Sequence, residues 1–125
     1  MAEPQPKIAV LIDGDNAAPA SIEKVLEKIR ELGTLIIRRA YGDWTAPNMS
    51  GWKNVERTCS VQLVQQSRYI SGKNATDMAI VIDAMDILYS GTVDTFCLVS
   101  SDSDFTPLAI RLRDEGCQVI GVGTQ

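Results

Sequence analysis

Ile8-Ala9-Val10-Leu11-Ile12-Asp13-Gly14-Asp15-Asn16 decides how this 125-residue chain folds. Five apolar residues in a row form a strand covered on both faces, as in the middle of a parallel sheet. The run then breaks on small and acidic residues. Open α/β sheets place their ligand sites just beyond the carboxyl ends of the strands. Thr95-Phe96-Cys97-Leu98-Val99-Ser100-Ser101-Asp102-Ser103-Asp104 repeats the pattern. With both strands interior and adjacent, their trailing carboxylates converge at one sheet edge. That convergence carries the function.

Outward from the first strand, Pro19 stands where a helix's first turn begins, a place that suits its missing N–H. Ile22, Val25, Leu26, Ile29 and Leu32 then mark one apolar helical face, with Gly33 as the C-terminal stop. Residues 34–41 are a second strand, β-branched at its start. A loop over 42–47 leads to a short helix over 49–59. Residues 60–66 alternate apolar and polar, the pattern of an edge strand. Residues 67–74 form a polar loop. Residues 75–89 are a strong helix, and Asp77, Val81, Ala84 and Leu88 share one of its faces. Val81, Ala84 and Leu88 make that face the core stripe and put Asp77 on it, with Asp83 and Asp86 pointing elsewhere. The fourth strand is 95–100. A helix starting around 103–107 buries Leu108, Ala109 and Leu112 and ends at Gly116. Residues 117–122 are the fifth strand. Strand and helix alternate throughout, which predicts parallel strands joined by right-handed crossovers, an α/β/α three-layer sandwich.

The composition, 45% hydrophobic and 22% charged, is that of a globular domain. No apolar run approaches the roughly 20 residues of a membrane span, so no membrane association is expected. Residues 1–6 lack a basic and apolar leader and read as a disordered lead-in, with 7–125 as one domain. Cys59, Cys97 and Cys117 have no CxxC spacing and fit free thiols in a reducing cytoplasm. The chain has no histidine. That argues against a zinc site and removes the usual general base. Net charge is −4, against a protein that coats nucleic acid, but it is unevenly spread. Residues 28–76 carry about +5 and the rest about −9. A basic face beside an acidic centre is one outcome, a mixed solvated surface the other.

Asp13, Asp77, Asp102 and Asp104 are the candidate ligands, with Asp15 nearby. Crowded carboxylates repel, and a divalent cation relieves the repulsion. With only oxygen ligands the cation is Mg²⁺ or Mn²⁺, which completes its shell with water and substrate phosphate oxygens. Such a site hydrolyses a phosphodiester without histidine. Asn16 is placed to orient a phosphate or a water. Ser100, Ser101 and Ser103 offer hydroxyls and N–H groups at a helix start, where the dipole favours anions. Structural roles compete: Asp104 as a helix cap, Asp15 and Asn16 as turn residues, Asp77 or Thr76 as a cap. Tyr41, Trp44 and Trp52 lie in or beside the loop after the second strand. With Arg38, Arg39, Lys53, Arg57, Arg68 and Lys73 they suit base stacking and backbone contacts, or else they pack over the rim of the core.

At 8–16, Tyr41-Gly42-Asp43-Trp44, 73–83 and 99–105 the chain resembles the NYN domain family, and within it the LabA-like branch of the PIN-like nuclease superfamily. The pairing of "IDGDN" with "SSDSDF" carries most of the resemblance, which spans nearly the whole chain. It implies a PIN-like fold with strand order 3-2-1-4-5. It also implies a metal-dependent ribonuclease holding Mg²⁺ or Mn²⁺ on acidic residues. Asp13, Asp77, Asp102 and Asp104 match the family's acidic positions, and Asn16 its first-strand asparagine. On that reading Ser101, Ser103, Trp44, Arg39 and Lys73 would contact RNA. Ser101 stands where the family often has glycine. A homodimer and a further C-terminal domain are partners left open.

Two other functions fit the same residues. Asp13-Gly14-Asp15 mimics the DxD of haloacid-dehalogenase-type phosphatases, with Asp13 as nucleophile and Asp15 as acid/base. Ala17 stands where that family has Thr or Val. A non-catalytic RNA-binding or regulatory module with the same fold is the other.

Overall fold

Lys7–Asp13 forms β1, the middle strand of a parallel sheet. The structure, a computed structural model, describes residues 5–66, 75–101 and 105–123. Along the chain follow α1 (Pro19–Arg30), β2 (Thr34–Gly42), a 3₁₀ turn (Pro47–Met49), α2 (Gly51–Cys59) and β3 (Gln62–Gln65). Then come α3 (Ala75–Ser90), β4 (Thr95–Val99), α4 (Thr106–Asp114) and β5 (Gln118–Val122). The strand order is β3-β2-β1-β4-β5, as the family resemblance implies, and every pairing is parallel, as the alternation of strand and helix predicts.

Apolar content sets each strand's place. A strand with helices on both faces must be apolar on both. β4 is buried at all its residues, and β1 at all but Lys7, so these two are central. β3 and β5 contain no fully buried residue and stand at the edges. Alternate residues of β1 feed opposite layers. Ile8, Val10 and Ile12 pack with Ile22, Leu26 and Ile29 of α1 and with Trp52, Val55 and Cys59 of α2. Ala9 and Leu11 pack with Ile80, Ala84 and Ile87 of α3 and with Leu108 and Leu112 of α4. β1 ends level with Tyr41 of β2 and, one residue earlier, with Val99 of β4. Both acidic strand ends therefore open on the same edge.

Several local expectations need correction. α1 ends at Arg30, and Leu32 lies past it and is exposed. Gly33 is not a left-handed cap. It is needed because a Cβ there would stand 2.4 Å from the carbonyl oxygen of Pro6. That carbonyl also accepts the N–H of Thr34 at 2.8 Å, so the lead-in is tied to the fold by Pro6. The helix expected over 49–59 is a 3₁₀ turn followed by α2, which ends on Ser60 in the left-handed region. The stripe of α3 is also displaced. Thr76, Ile80, Ala84 and Ile87 are buried, whereas Val81 is partly exposed and Asp77 lies at the margin. The helix is apolar nearly all round, so periodicity alone does not choose between neighbouring stripes. The loop expected over 67–74 lies outside the described residues.

Cys97 sits in the middle of β4, fully buried, and burial pushes its thiol up to about 12. The thiolate is the reactive form, so this thiol is inert in the folded protein. Ellman's reagent at pH 8 will therefore find the same number of fast thiols in native wild type and in Cys97→Ser. The two will differ by one thiol only in denaturant.

Candidate active site

The site is built on the end of β1. Asp13 is the strand's last residue and is completely buried. A carboxylate in that position must be surrounded by donors. Its Oδ2 accepts from Asn16 Nδ2 at 3.0 Å and from Ser100 Oγ at 3.2 Å, and its Oδ1 accepts the Asp15 N–H at 3.2 Å. The backbone closes the turn as well, with the Asn16 N–H on the Asp13 carbonyl at 3.1 Å. Asn16 therefore orients Asp13. Ser100, expected to face an anion, donates to the same carboxylate.

The end of β4 is joined to this turn through the main chain. Ser101 donates its N–H to the Asn16 carbonyl at 2.7 Å, so the chain leaves β4 alongside the Asp13 turn. α3 reaches the site from the other side. The buried Thr76 hydroxyl donates to Asp15 Oδ2 at 2.7 Å, and Asp77 is the next residue. Three segments that are distant in sequence are thus linked at one edge: 13–16, 76–77 and 100–101. Asp102, Ser103, Asp104 and Lys73 lie outside the described residues.

Gly14 makes the turn possible. Its N–H donates to the Tyr41 carbonyl at 2.8 Å. A Cβ at this position would lie 2.4 Å from Cη2 of Trp44 and 2.8 Å from that same carbonyl. Trp44 forms the wall. Its indole N–H donates to the Val64 carbonyl at 2.9 Å, its ring packs against Trp52 at 5.4 Å, and its backbone N–H is held by Gln65. Asp43 organises the loop around it, accepting from Thr45 and from Gln65.

The three aromatics expected at the rim divide. Tyr41 and Trp52 are core residues, each 1% exposed, and only Trp44 stays partly accessible. The Tyr41 hydroxyl and the Arg39 guanidinium both donate to Oδ2 of Asp83, the latter at 2.9 Å. Burial and the bond to Asp83 raise the Tyr41 pKa, so the phenol keeps its proton at any physiological pH. Burial of Arg39 is outweighed by Asp83, and its pKa rises too. Arg39, expected at substrate, is thus engaged in the network that fastens β2 to α3. Arg38 turns to the opposite side of the sheet and donates to the Ser60 and Leu35 carbonyls. The sequence reading missed Asp83 as a contact. The available signal was its spacing from Ile80 and Ile87, three before and four after, which places it on the true stripe's flank.

Among the described residues no group of three or more Asp, Glu, Cys or His side chains is close enough to hold a metal ion. The donors that do meet, from Asp13, Asp15, Asn16, Ser100 and Thr76, are all hard oxygen or amide groups, which match Mg²⁺ or Mn²⁺ rather than a soft metal. The fit is one of donor chemistry.

A parallel five-stranded α/β sheet of order β3-β2-β1-β4-β5, with a buried aspartate at the end of its middle strand and a second strand end joined to it, is consistent with a PIN-like NYN domain. The NYN domain matches residues 7–125, and the chain belongs to the NYN domain family. It is similar to the uncharacterized protein MJ0482 of Methanocaldococcus jannaschii, with 28% identity over 123 residues, 95% of this chain. The chain spans about half of that relative's length, 48%. A crystal structure of a protein of unknown function from Vibrio parahaemolyticus, VPA0982, has the same fold. It superposes with a TM-score of 0.75 at 23% identity, covering 98% of this chain and 84% of that one. Among the described residues no helix is long and apolar enough to cross a membrane.

Proposed function

We propose that the chain is a metal-dependent ribonuclease of the LabA-like branch, acting in the cytoplasm on single-stranded or structured RNA. The observation that carries this reading is Asp13. It is a fully buried carboxylate fixed by Asn16, Asp15 and Ser100, where the ends of β1, β4 and α3 are tied together. Asp13, Asp77, Asp102 and Asp104 are the proposed ligands. When bound, Mg²⁺ or Mn²⁺ neutralises phosphate charge and activates water for attack on the phosphodiester.

The chain's own residues do the positioning. Asn16 and Ser100 hold the Asp13 carboxylate in one orientation, so its oxygens need no rearrangement on binding. Ser101 and Ser103, at the approach to α4, are the proposed phosphate contacts, and Lys73, Arg39 and Trp44 the outer RNA contacts. Arg39 has to share its guanidinium between Asp83 and RNA, so its contribution is the smallest of these.

Purified protein with a labelled RNA should yield hydrolysis products in Mn²⁺ or Mg²⁺, and none in excess EDTA. Cleavage that persists in EDTA defeats the proposal. RNA binding with no cleavage in either metal would instead identify a non-catalytic module on the same fold.

A further inference from the structure

The sheet face under α4 loses its side chains towards the carboxyl edge. Val119 of β5 stands beside Phe96 of β4, and Gly121 beside Leu98. Residues paired in this way point to the same face. Phe96, Leu98 and Val119 pack in the layer that Leu108 and Leu112 of α4 cover. Val119 fills its place in that layer, and Gly121 leaves the next place empty. A Cβ at Gly121 would meet no atom within 4 Å. The result is a cavity of about 380 Å³ between α4 and the end of β5, a volume in the range of small-ligand sites.

The cavity adjoins Asp13. Ser100 lines it and donates its hydroxyl to Asp13 Oδ2 at 3.2 Å. Leu98 and Val119 form the sheet wall, and Phe105, partly buried against the same core, stands at the start of α4. Arg113 reaches from α4 to β5, where it donates to the Val119 carbonyl at 3.4 Å. It is the one charged residue of the described lining, which holds no carboxylate. β5 is an edge strand. The Gln118 N–H donates to the Asp94 carbonyl, and the Val122 carbonyl accepts the Ser100 N–H. By alternation Gly121 turns its own N–H and carbonyl to the open side.

These features select a ligand. A phosphate would lose its hydration against Leu98, Phe105 and Val119, with one exposed arginine in return. A cation would meet Arg113. A flat, neutral heteroaromatic ring suits every wall. It stacks on Phe105, and its carbonyl and ring-nitrogen acceptors take donors from Arg113 and the Gly121 N–H. A nucleotide carries such a ring one sugar away from its phosphate. We propose that the cavity between α4 and β5 is a nucleobase subsite, seating one base of an RNA whose phosphodiester lies at Asp13. The proposal rests on the reading of that edge as an RNA site, and it makes the cut depend on the neighbouring base.

Binding can be followed without cleavage. The four nucleoside monophosphates, and ribose phosphate as the baseless control, are titrated into the isotope-labelled full chain in Mg²⁺. At least one nucleotide should shift the amide signals of Phe105 and Gly121 to saturation, and ribose phosphate should not. Gly121→Val and Ala109→Leu fill the cavity from its two walls. Each should weaken that nucleotide about 10-fold or more, the scale of one lost stacked base. Gly121 is not in the left-handed region, and valine suits a strand better than glycine, so Gly121→Val should melt no lower than wild type. Equal shifts from ribose phosphate, or wild-type affinity in both filled variants, overturn the proposal. Base-dependent binding by a chain that never cuts RNA leaves the subsite standing and removes the nuclease reading. RNA cut with one and the same base preference by wild type and both filled variants removes the subsite and leaves the nuclease.

Discussion

Asp13→Asn is expected to reduce metal-dependent RNA cleavage by at least about 100-fold, the scale on which one fixed electrostatic group acts in a hydrolytic site. The substitution is nearly isosteric, so the strand end keeps its shape. The amide keeps one oxygen for the Asp15 N–H, but sets an NH₂ group where the carboxylate accepted from Asn16 and Ser100. Ser100 can rotate its hydroxyl to accept, whereas the Asn16 amide loses its acceptor. A stability loss of about 1–3 kcal/mol should accompany the loss of activity. Asp94→Asn is the control. Asp94 lies at the opposite edge of the sheet, where it accepts from the Lys7 N–H and the Thr95 hydroxyl. Its substitution should leave cleavage within about twofold of wild type, since a surface site remote from the reaction carries little of it. Rates measured on both variants, beside their melting curves, separate the chemistry from the fold. Full cleavage by folded Asp13→Asn would remove Asp13 from the reaction.

Gly14→Ala is expected to be the most damaging single-methyl change at this edge. The added carbon would stand 2.4 Å from the Trp44 ring and 2.8 Å from the Tyr41 carbonyl, both far inside contact distance. Overpacking of this kind costs about 1–3 kcal/mol, a fall in Tm of roughly 4–12 °C for a domain of this size. The two clashes differ in kind. The ring can be removed by substitution, but the carbonyl is backbone and is bonded to the Gly14 N–H. Gly14→Ala combined with Trp44→Leu should therefore recover only part of the loss that Gly14→Ala causes in a Trp44 background. The double-mutant cycle measures that coupling directly. Additive effects in the cycle would mean that the ring is not what confines Gly14.

Both predictions concern residues of the opening motif, and the two were legible to different degrees. The place of Asp13 followed from the apolar run before it. A strand of that composition has to be central, and the residue after it has to emerge at the carboxyl edge. The same reasoning made β4 a second central strand, whereas the strand order came from the family resemblance and not from the apolar pattern. The need for glycine at position 14 was not legible. It depends on Trp44, which arrives from a loop 30 residues later, and on a carbonyl of β2. The role of Tyr41 was left open between RNA stacking and packing for a related reason. An aromatic near a strand end can face the rim or the core, and the choice was made by Asp83 on α3, which supplies a partly buried acceptor for the hydroxyl. The stripe of α3 failed for want of contrast. Where Val81, Ile82, Ile80 and Ile87 are all apolar, a periodicity argument has no polar face to orient it, and the sheet decides.

The tie between Ser101 and Asn16 has a practical consequence. One amide proton belongs to the loop after β4, while its acceptor belongs to the loop after β1, so its lifetime against exchange with deuterated solvent reports on both loops together. A ligand that draws the two strand ends closer slows that single proton, and one that spreads them releases it. Occupancy of this edge can thus be followed by the NMR signal of Ser101 alone, with no label attached and no turnover required.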